Sequence, residues 1–492
     1  MLKKVYYLIL LLFIGQLLFS CKVTWHGKHE IRAVWMSRFE YAQDKSTEES
    51  QRYITEMFKN FHSAGINIII FQVRGSGDAF YQSEFEPWSN MLSDSIGVDP
   101  GWDPLQLGVE TAHDLGLELH AWINTFPAWR AGEAPPEKSQ PLHPYLAHPE
   151  WVVCDSAGQP MQPEEGYICF SPGIPAVQEH IINVAVDIVH KYDIDGLHFD
   201  YIRYPEDSDS LGYSNDSISV LRAASLEGNP GQYDWLIWQR EQVNEFVQKA
   251  YNRITEEKPW LKVSAAVIGH HYSSGWNGYH DVYQDARRWL ASGKMDLVFP
   301  MTYNRIGHPT AAYEQALSQW KEMIHLGRYI IPGIASYKVN RDYSWGEVWD
   351  QIELIRSEGF PGMVFFSSQT ISRKIHELYE KHYITPALVP PMAWKKNVPE
   401  VVPDSMQLTI HNDSLFFKWS QNEDVFKYVL YNNSYIDDVA NMIAILPGKQ
   451  TMFQMHNGEK TGPFYLTAIN RIGIESKPFA FMPLLTGTTS NN

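Results

Sequence analysis

His198, Asp200 and Arg203 lie in one short segment, Gly196-Leu197-His198-Phe199-Asp200-Tyr201-Ile202-Arg203, which Pro205 closes two residues on. An apolar run that starts at an Asp-Gly pair and ends in polar residues reads as a buried parallel strand, Gly196 to Tyr201, with its polar cluster at the carboxyl end. Side chains alternate along a strand, so His198 and Asp200 point one way and Phe199 and Tyr201 the other. A histidine and a carboxylate turned into a buried space cost free energy unless they are used. The chemistry open to them is cleavage of a glycosidic bond, which takes one acid to protonate the leaving oxygen and one carboxylate as nucleophile or base. Asp200 is the candidate for one of these. Arg203 or Arg74 nearby would keep it ionised, as suits a nucleophile or base. Asp78, in a loop after an earlier strand, and Glu206, just past Pro205, both qualify by position as its partner.

Such residues need a frame. Apolar strand-like runs at Ile31 to Ser37, Ile66 to Val73, Leu117 to Ile123, Gly196 to Tyr201, Val263 to Ile268, Leu297 to Met301, Tyr329 to Ile334 and Gly362 to Phe366 alternate with helical periodicity. Helices are expected near Glu48 to Ala64, Asp103 to Leu115, Pro175 to Tyr192, Trp235 to Glu256, Ala311 to Ile324 and Trp345 to Ser357. Asp103 would be an N-cap with Pro104 at the first helical position. Eight β units with intervening helices predict a (β/α)8 TIM-type barrel over residues 29–385. An open doubly wound sheet would want a glycine-rich phosphate loop after its first strand, and there is none. Five prolines between Pro386 and Pro403 predict a stiff linker. Short strands beyond it, over residues 404–485, predict a small all-β sandwich. Leu415-Phe416-Phe417-Lys418-Trp419, Tyr428-Val429-Leu430-Tyr431 and Phe464-Tyr465-Leu466-Thr467-Ala468 give this module a resemblance to fibronectin type III domains, which commonly act as spacers.

At the carboxyl ends of barrel strands, where active sites form in this fold, collect Trp35, Ser37 and Arg38; Gln72, Arg74 and Asp78; Trp122 and Asn124; His198, Asp200 and Arg203; His270 and His271; Tyr303 and Asn304; Ser336 and Tyr337; Ser367 and Gln369. This donor- and ring-rich set suits a neutral, hydroxyl-rich ligand. Arg74, Asn124, His198, Arg203, Tyr303 and Tyr337 are candidates to bind sugar hydroxyls, with Trp35 and Trp122 as stacking platforms. Arg74 reads equally well as a buried structural pair with Asp78. Asp195 and Asp296, at strand starts, belong to the stabilising face. No carboxylate at suitable spacing joins His270 and His271, so neither a metal nor any other cofactor is expected.

Among 492 residues, 44% are apolar and 14% aromatic, as in a globular chain with a large core. A net charge of −17 excludes nucleic acid as a partner. Lys3 and Lys4, the apolar run Val5 to Phe19 and Leu18-Phe19-Ser20-Cys21 resemble a bacterial lipoprotein leader over residues 1–21. Cys21 would then carry the lipid and anchor the chain to the membrane, facing the periplasm rather than exported to the cell surface, because no acidic run follows it. Cys154 and Cys169 could pair across a short loop or remain two buried thiols.

An ordered series of motifs resembles the glycosyl hydrolase-like 10 family: Glu30-Ile31-Arg32-Ala33-Val34-Trp35, Phe71-Gln72-Val73-Arg74 with Gly77-Asp78-Ala79-Phe80-Tyr81, Gly116 through Asn124, Ser171-Pro172-Gly173-Ile174-Pro175, Asp195 through Tyr201, and Asp296 through Tyr303. The resemblance implies a TIM-type barrel, glycosidase activity and Asp200 as the aligned acid; some relatives are reported to cut peptidoglycan strands stripped of peptides. Two positions depart from the family's pattern. Tyr201 stands where a second Asp is frequent, and Thr125 follows Asn124 where Pro is common. The function expected is therefore hydrolysis of an amino-sugar-containing glycan such as peptidoglycan, with Asp200 and Asp78 as the catalytic pair. Hydrolysis of a dietary or host polysaccharide, or glycan binding without catalysis, are the alternatives.

Overall fold

The computed structural model describes residues 27–130, 135, 137–162, 166–206, 211–273, 275–396, 398–411, 413–456 and 463–481. The leader, with Cys21, lies outside them. Eight parallel strands form the main sheet: β1 (Ile31–Met36), β2 (Ile68–Arg74), β3 (Glu118–Asn124), β4 (Gly196–Asp200), β5 (Lys262–Ile268), β6 (Leu297–Met301), β7 in two pieces (Tyr329–Ile330 and Gly333–Ile334) and β8 (Gly362–Phe365). The first piece of β7 pairs with β6 and the second with β8, while β8 pairs with β1. The ring therefore closes, and the chain is a (β/α)8 barrel. Pro332, which has no N–H to donate, sits at the break.

Alternation along the strands builds two apolar layers. Ile31, Ala33, Trp35, Ile68, Ile70, Leu297 and Phe299 fill the barrel interior, and Val34, Phe71, Ile123, Leu197 and Val263 pack outward against helices. The helices that run between the barrel strands include α1 (Thr47–Ser63), α2 (Pro104–Asp114), α3 (Pro175–Lys191), α4 (Trp235–Glu257), α5 (Ala286–Ala291), α6 (Tyr313–Lys321) and α7 (Trp345–Ser357). Ser46 and Glu49 cap α1 reciprocally, and its Ile54, Met57, Phe58 and Phe61 are buried at helical spacing. Asp103 caps α2 through the Gln106 N–H, with Pro104 at the first position. The short helix α5 precedes β6 where no helix was expected.

Gly196 opens β4 inside the ring, where a Cβ would stand 2.6 Å from Cγ of His120. Gly196→Ala is expected to destabilise the protein by about 1–3 kcal/mol through overpacking, measured by urea unfolding.

The amino end of the barrel is a buried electrostatic plate. Asp296 accepts from the Val263 N–H (2.9 Å) and from the Trp394 indole (2.8 Å), and it pairs with Lys395 at 2.5 Å. Asp195 accepts from the Leu119 N–H, also at 2.9 Å, and pairs with Arg471 at the same distance. The segment expected to be a stiff linker is packed instead. Glu30 and Leu388 are joined by a backbone hydrogen bond of 2.9 Å, and Val389 and Met392 enter the barrel-interior core beside Ile472.

The last 75 or so described residues form two antiparallel sheets. One has three strands, β9 (Gln407–His411), β10 (Ser414–Lys418) and β13 (Met452–His456). The other has four, β12 (Met442–Pro447), β11 (Lys427–Tyr431), β14 (Tyr465–Ile469) and β15 (Phe479–Ala480). Leu415 and Phe417 from one sheet meet Tyr428, Leu430 and Leu466 from the other in a shared core. β13 and β15 were not expected from the sequence.

Candidate active site

A cavity of about 470 Å³ opens at the carboxyl ends of the barrel strands, within the size range of small-ligand sites. Trp35 from β1, Trp122 and Asn124 from β3, Asp200, Tyr201 and Arg203 from the end of β4, Tyr303 after β6 and Tyr337 after β7 all line it. Register explains the convergence: Trp122 pairs with His198, and Asn124 with Asp200, across β3 and β4.

Asp200 is buried. β4 stops at this residue, one short of the expected end, because Tyr201 takes a left-handed φ of 50°. That turn aims the Tyr201 N–H back at Asp200 Oδ1 (2.6 Å) and brings the Tyr201 ring into the cavity wall. It was expected to point away. Arg203 Nη1 stands 3.8 Å from the same oxygen. Burial pushes the Asp200 carboxyl above the usual carboxylate range, against the pull of Arg203 and of the Tyr201 N–H. Arg203 does favour the ionised form, as expected, but burial outweighs it, a direction that suits a general acid better than the expected nucleophile or base.

Arg74 does not reach the cavity. It is fully buried, forms a two-pronged pair with Glu86 at 2.7 Å on each prong, and donates to the Asn124 carbonyl. Its partner is Glu86, not Asp78. His180 also contacts Glu86 at 3.1 Å. Asp78 likewise does not line the cavity; its Oδ1 accepts from the Ser76 N–H (2.8 Å) and braces the turn after β2. The carboxylate that does share the cavity with Asp200 is Glu206, which is 3.5 Å from Arg203 Nη2 and has a largely exposed side chain.

His198 sits beneath the floor, fully buried, and not on the ligand's side. The Trp35 indole can only donate, so it donates to His198 Nε2 (3.1 Å), and Nδ1 carries the proton toward Ser264 Oγ at 2.9 Å. Burial holds this imidazole well below its ordinary pKa, so it stays neutral. Its work is to fix the Trp35 ring. His198→Phe would strand the indole N–H and leave the Ser264 hydroxyl only its 3.5 Å bond to the Leu197 carbonyl, with an expected loss of about 1–3 kcal/mol in urea unfolding.

Asn124 Oδ1 accepts from both the Trp122 indole (3.1 Å) and Gln72 Nε2 (3.2 Å), which leaves its amide N–H groups for a ligand. Phe39, Trp276 and Phe366 also line the cavity and were not picked out from the sequence. Trp276 is 48% exposed, a ring at the lip; it lies in a loop without periodicity, and only its residue type could have drawn notice. Glu40 is a buried carboxylate nearby that ties β1 to the loop after β8 through Ser368 and the Gln369 N–H. Among the described residues no group of three His, Cys, Asp or Glu side chains is placed to hold a metal ion. Cys154 and Cys169 are both free thiols.

A closed barrel with a buried acid and stacked aromatic rings at its mouth defines a protein of the glycoside hydrolase-like barrel class. The chain belongs to the glycosyl hydrolase-like 10 family, whose sequence profile matches residues 30–351. It is 28% identical over 408 residues to glycosyl hydrolase YngK of Bacillus subtilis, covering 77% of each chain. It is 27% identical over 348 residues to glycosyl hydrolase DigH of Escherichia coli K12, covering 64% of this chain and 75% of that one. In fold it is similar to the PgaB (BpsB) glycoside hydrolase domain of Bordetella bronchiseptica, with a TM-score of 0.50 at 14% identity, over 71% of this chain and 98% of that one.

Proposed function

We propose that this protein is a lipid-anchored, periplasm-facing glycoside hydrolase that cleaves O-glycosidic bonds in peptidoglycan glycan strands. The observation that carries the reading is Asp200, a buried acid on the wall of a ring-lined, sugar-sized cavity that Glu206 shares. Asp200 protonates the leaving glycosidic oxygen. Glu206 takes the other role, attacking the anomeric carbon or drawing a proton from the water that attacks it. Trp35, Trp122 and Trp276 offer their faces to sugar rings, and the Asn124 amide donates to a ring substituent. Membership of a glycosyl hydrolase-like family supports the hydrolase part. The preference for peptidoglycan is supported by the family resemblance and by the leader ending in Cys21, which would hold the enzyme beside the cell wall. The fibronectin type III-like module then serves as a brace for the barrel's amino end.

The test is product analysis with purified peptide-free peptidoglycan strands beside a panel of plant and host polysaccharides. New reducing ends from the strands alone are expected. Release only from the panel would move the substrate to dietary or host glycan. Binding without release would make the protein a glycan-binding lipoprotein, a reading that the exposure of Glu206 favours.

A further inference from the structure

Next to the Phe39, Tyr201 and Arg203 lining of the cavity lies a cluster of arginines, in a chain whose net charge is −17. Phe39, Tyr167 and Tyr201 form a ring cluster there, with Tyr167 and Tyr201 edge to face at 5.2 Å. Three guanidinium groups lie on it. Arg203 stacks on Tyr201 at 4.4 Å, Arg38 on Phe39 at the same distance, and Arg130 lies 5.2 Å from Phe39 and 5.7 Å from Tyr167. Arg203 and Arg38 are 5% and 3% exposed, and each has an Nη1 with no hydrogen-bond partner, although that of Arg203 stands 3.8 Å from Asp200 Oδ1. Arg203 lines the cavity, and its Nη2 is 3.5 Å from Glu206. Arg38 donates to the Tyr167 hydroxyl at 3.1 Å. The backbone makes room for it, since a Cβ on Gly75 would fall 2.6 Å from its Cζ and 2.9 Å from Asp78 Oδ1. Asp78 stands on the other side of that glycine, yet among the described residues neither Arg38 nor Arg130, which is exposed, forms an ion pair.

Stacking on rings fixes guanidinium planes while leaving their N–H donors open. Buried donors left open are costly, and a planar carboxylate is the group that suits them. We infer that Arg38, Arg130 and Arg203 on the Phe39–Tyr167–Tyr201 cluster form a subsite for a carboxylate-bearing sugar of the glycan, next to the residue that is cut. This inference rests on the proposed glycan cleft. The carboxylate could hang from an ether-linked side chain, as on muramic acid, or belong to the ring of a uronic acid.

The experiment uses full-length protein carrying Asp200→Asn, so that binding is read without turnover. Calorimetric titrations are run with peptide-free peptidoglycan strands, with the same strands after reduction of their carboxylates, and with hyaluronan. The intact strands or hyaluronan, according to the source of the carboxylate, are expected to bind about tenfold more tightly than the reduced strands, as one charge-assisted contact allows. Adding Arg130→Gln, an exposed change that leaves the fold intact, removes most of that preference and leaves affinity for reduced strands unchanged. Arg38→Gln does the same. Equal affinity for intact and reduced strands, with hyaluronan no tighter, would overturn the subsite while leaving the cleft standing. Failure to bind any of the three would overturn the cleft and the subsite together.

Discussion

Asp200→Asn is expected to lower glycan cleavage by about 10²–10⁴-fold in kcat, the usual contribution of a positioned acid, while the melting temperature stays at or slightly above that of the wild type. The amide keeps the size of the carboxyl and can still accept from the Tyr201 N–H. What it loses is the proton that the leaving oxygen needs. The stability side follows from the direction of the pKa shift. A carboxyl raised in the folded state holds its proton there when the unfolded chain has already released it, so folding is disfavoured as pH rises through the ordinary carboxylate range toward the raised value. Asparagine removes that penalty. The gain should appear at neutral pH and vanish below about pH 4, where both states are protonated. Kinetics on peptide-free strands and thermal unfolding at pH 7 and pH 4 check both halves.

Arg74→Met is expected to cost about 3–5 kcal/mol, the largest stability loss of any single change considered, because it leaves Glu86 charged and fully buried. Burial alone would raise Glu86, but Arg74 and His180 overcome it and hold the carboxyl at about 2. The sign is opposite to that of Asp200. A carboxyl lowered in the folded state contributes stability in full above the ordinary carboxylate pKa, and that stability is lost as pH falls through about 2. Unfolding in urea between pH 7 and pH 3 should show the wild type weakening toward the acid end, and the variant starting lower and weakening less. Arg74→Met with Glu86→Leu, which removes both charges, should recover most of the loss. If Arg74 bound substrate instead, the single variant would keep its stability and lose only affinity.

The strands and the direction of Asp200 were legible because periodicity and alternation are local properties, and every strand of the barrel carries them. Asn124, Trp35 and Trp122 followed from the same rule, that strand ends converge in this fold. Arg74 was misplaced for a reason a single strand cannot reveal. Its partner Glu86 sits twelve residues on, in a loop without periodicity, and only the folded turn after β2 brings the two together. His198 does point into the barrel as alternation predicts, but one layer deeper than Asp200, where the Trp35 ring covers it. Asp78 carries the family motif yet spends its oxygen on the Ser76 N–H. Glu206 was indistinguishable from it in the sequence and is separated from it only by which loop faces the cavity. The proline-rich segment was read from composition as a spacer; its Val389 and Met392 are buried in the barrel-interior core and its Leu388 against Val429 and Tyr431 of the C-terminal module.

The central claim, that Asp200 faces a bound glycan as its acid, is tested most directly by a crystal structure of the Asp200→Asn protein with a peptide-free peptidoglycan oligosaccharide. The account predicts sugar rings stacked between Trp35, Trp122 and Trp276, with a glycosidic oxygen about 3 Å from the residue 200 side chain and Glu206 beyond the anomeric carbon. An oligosaccharide seated elsewhere, or in the cavity with residue 200 turned away from its glycosidic bonds, would contradict it.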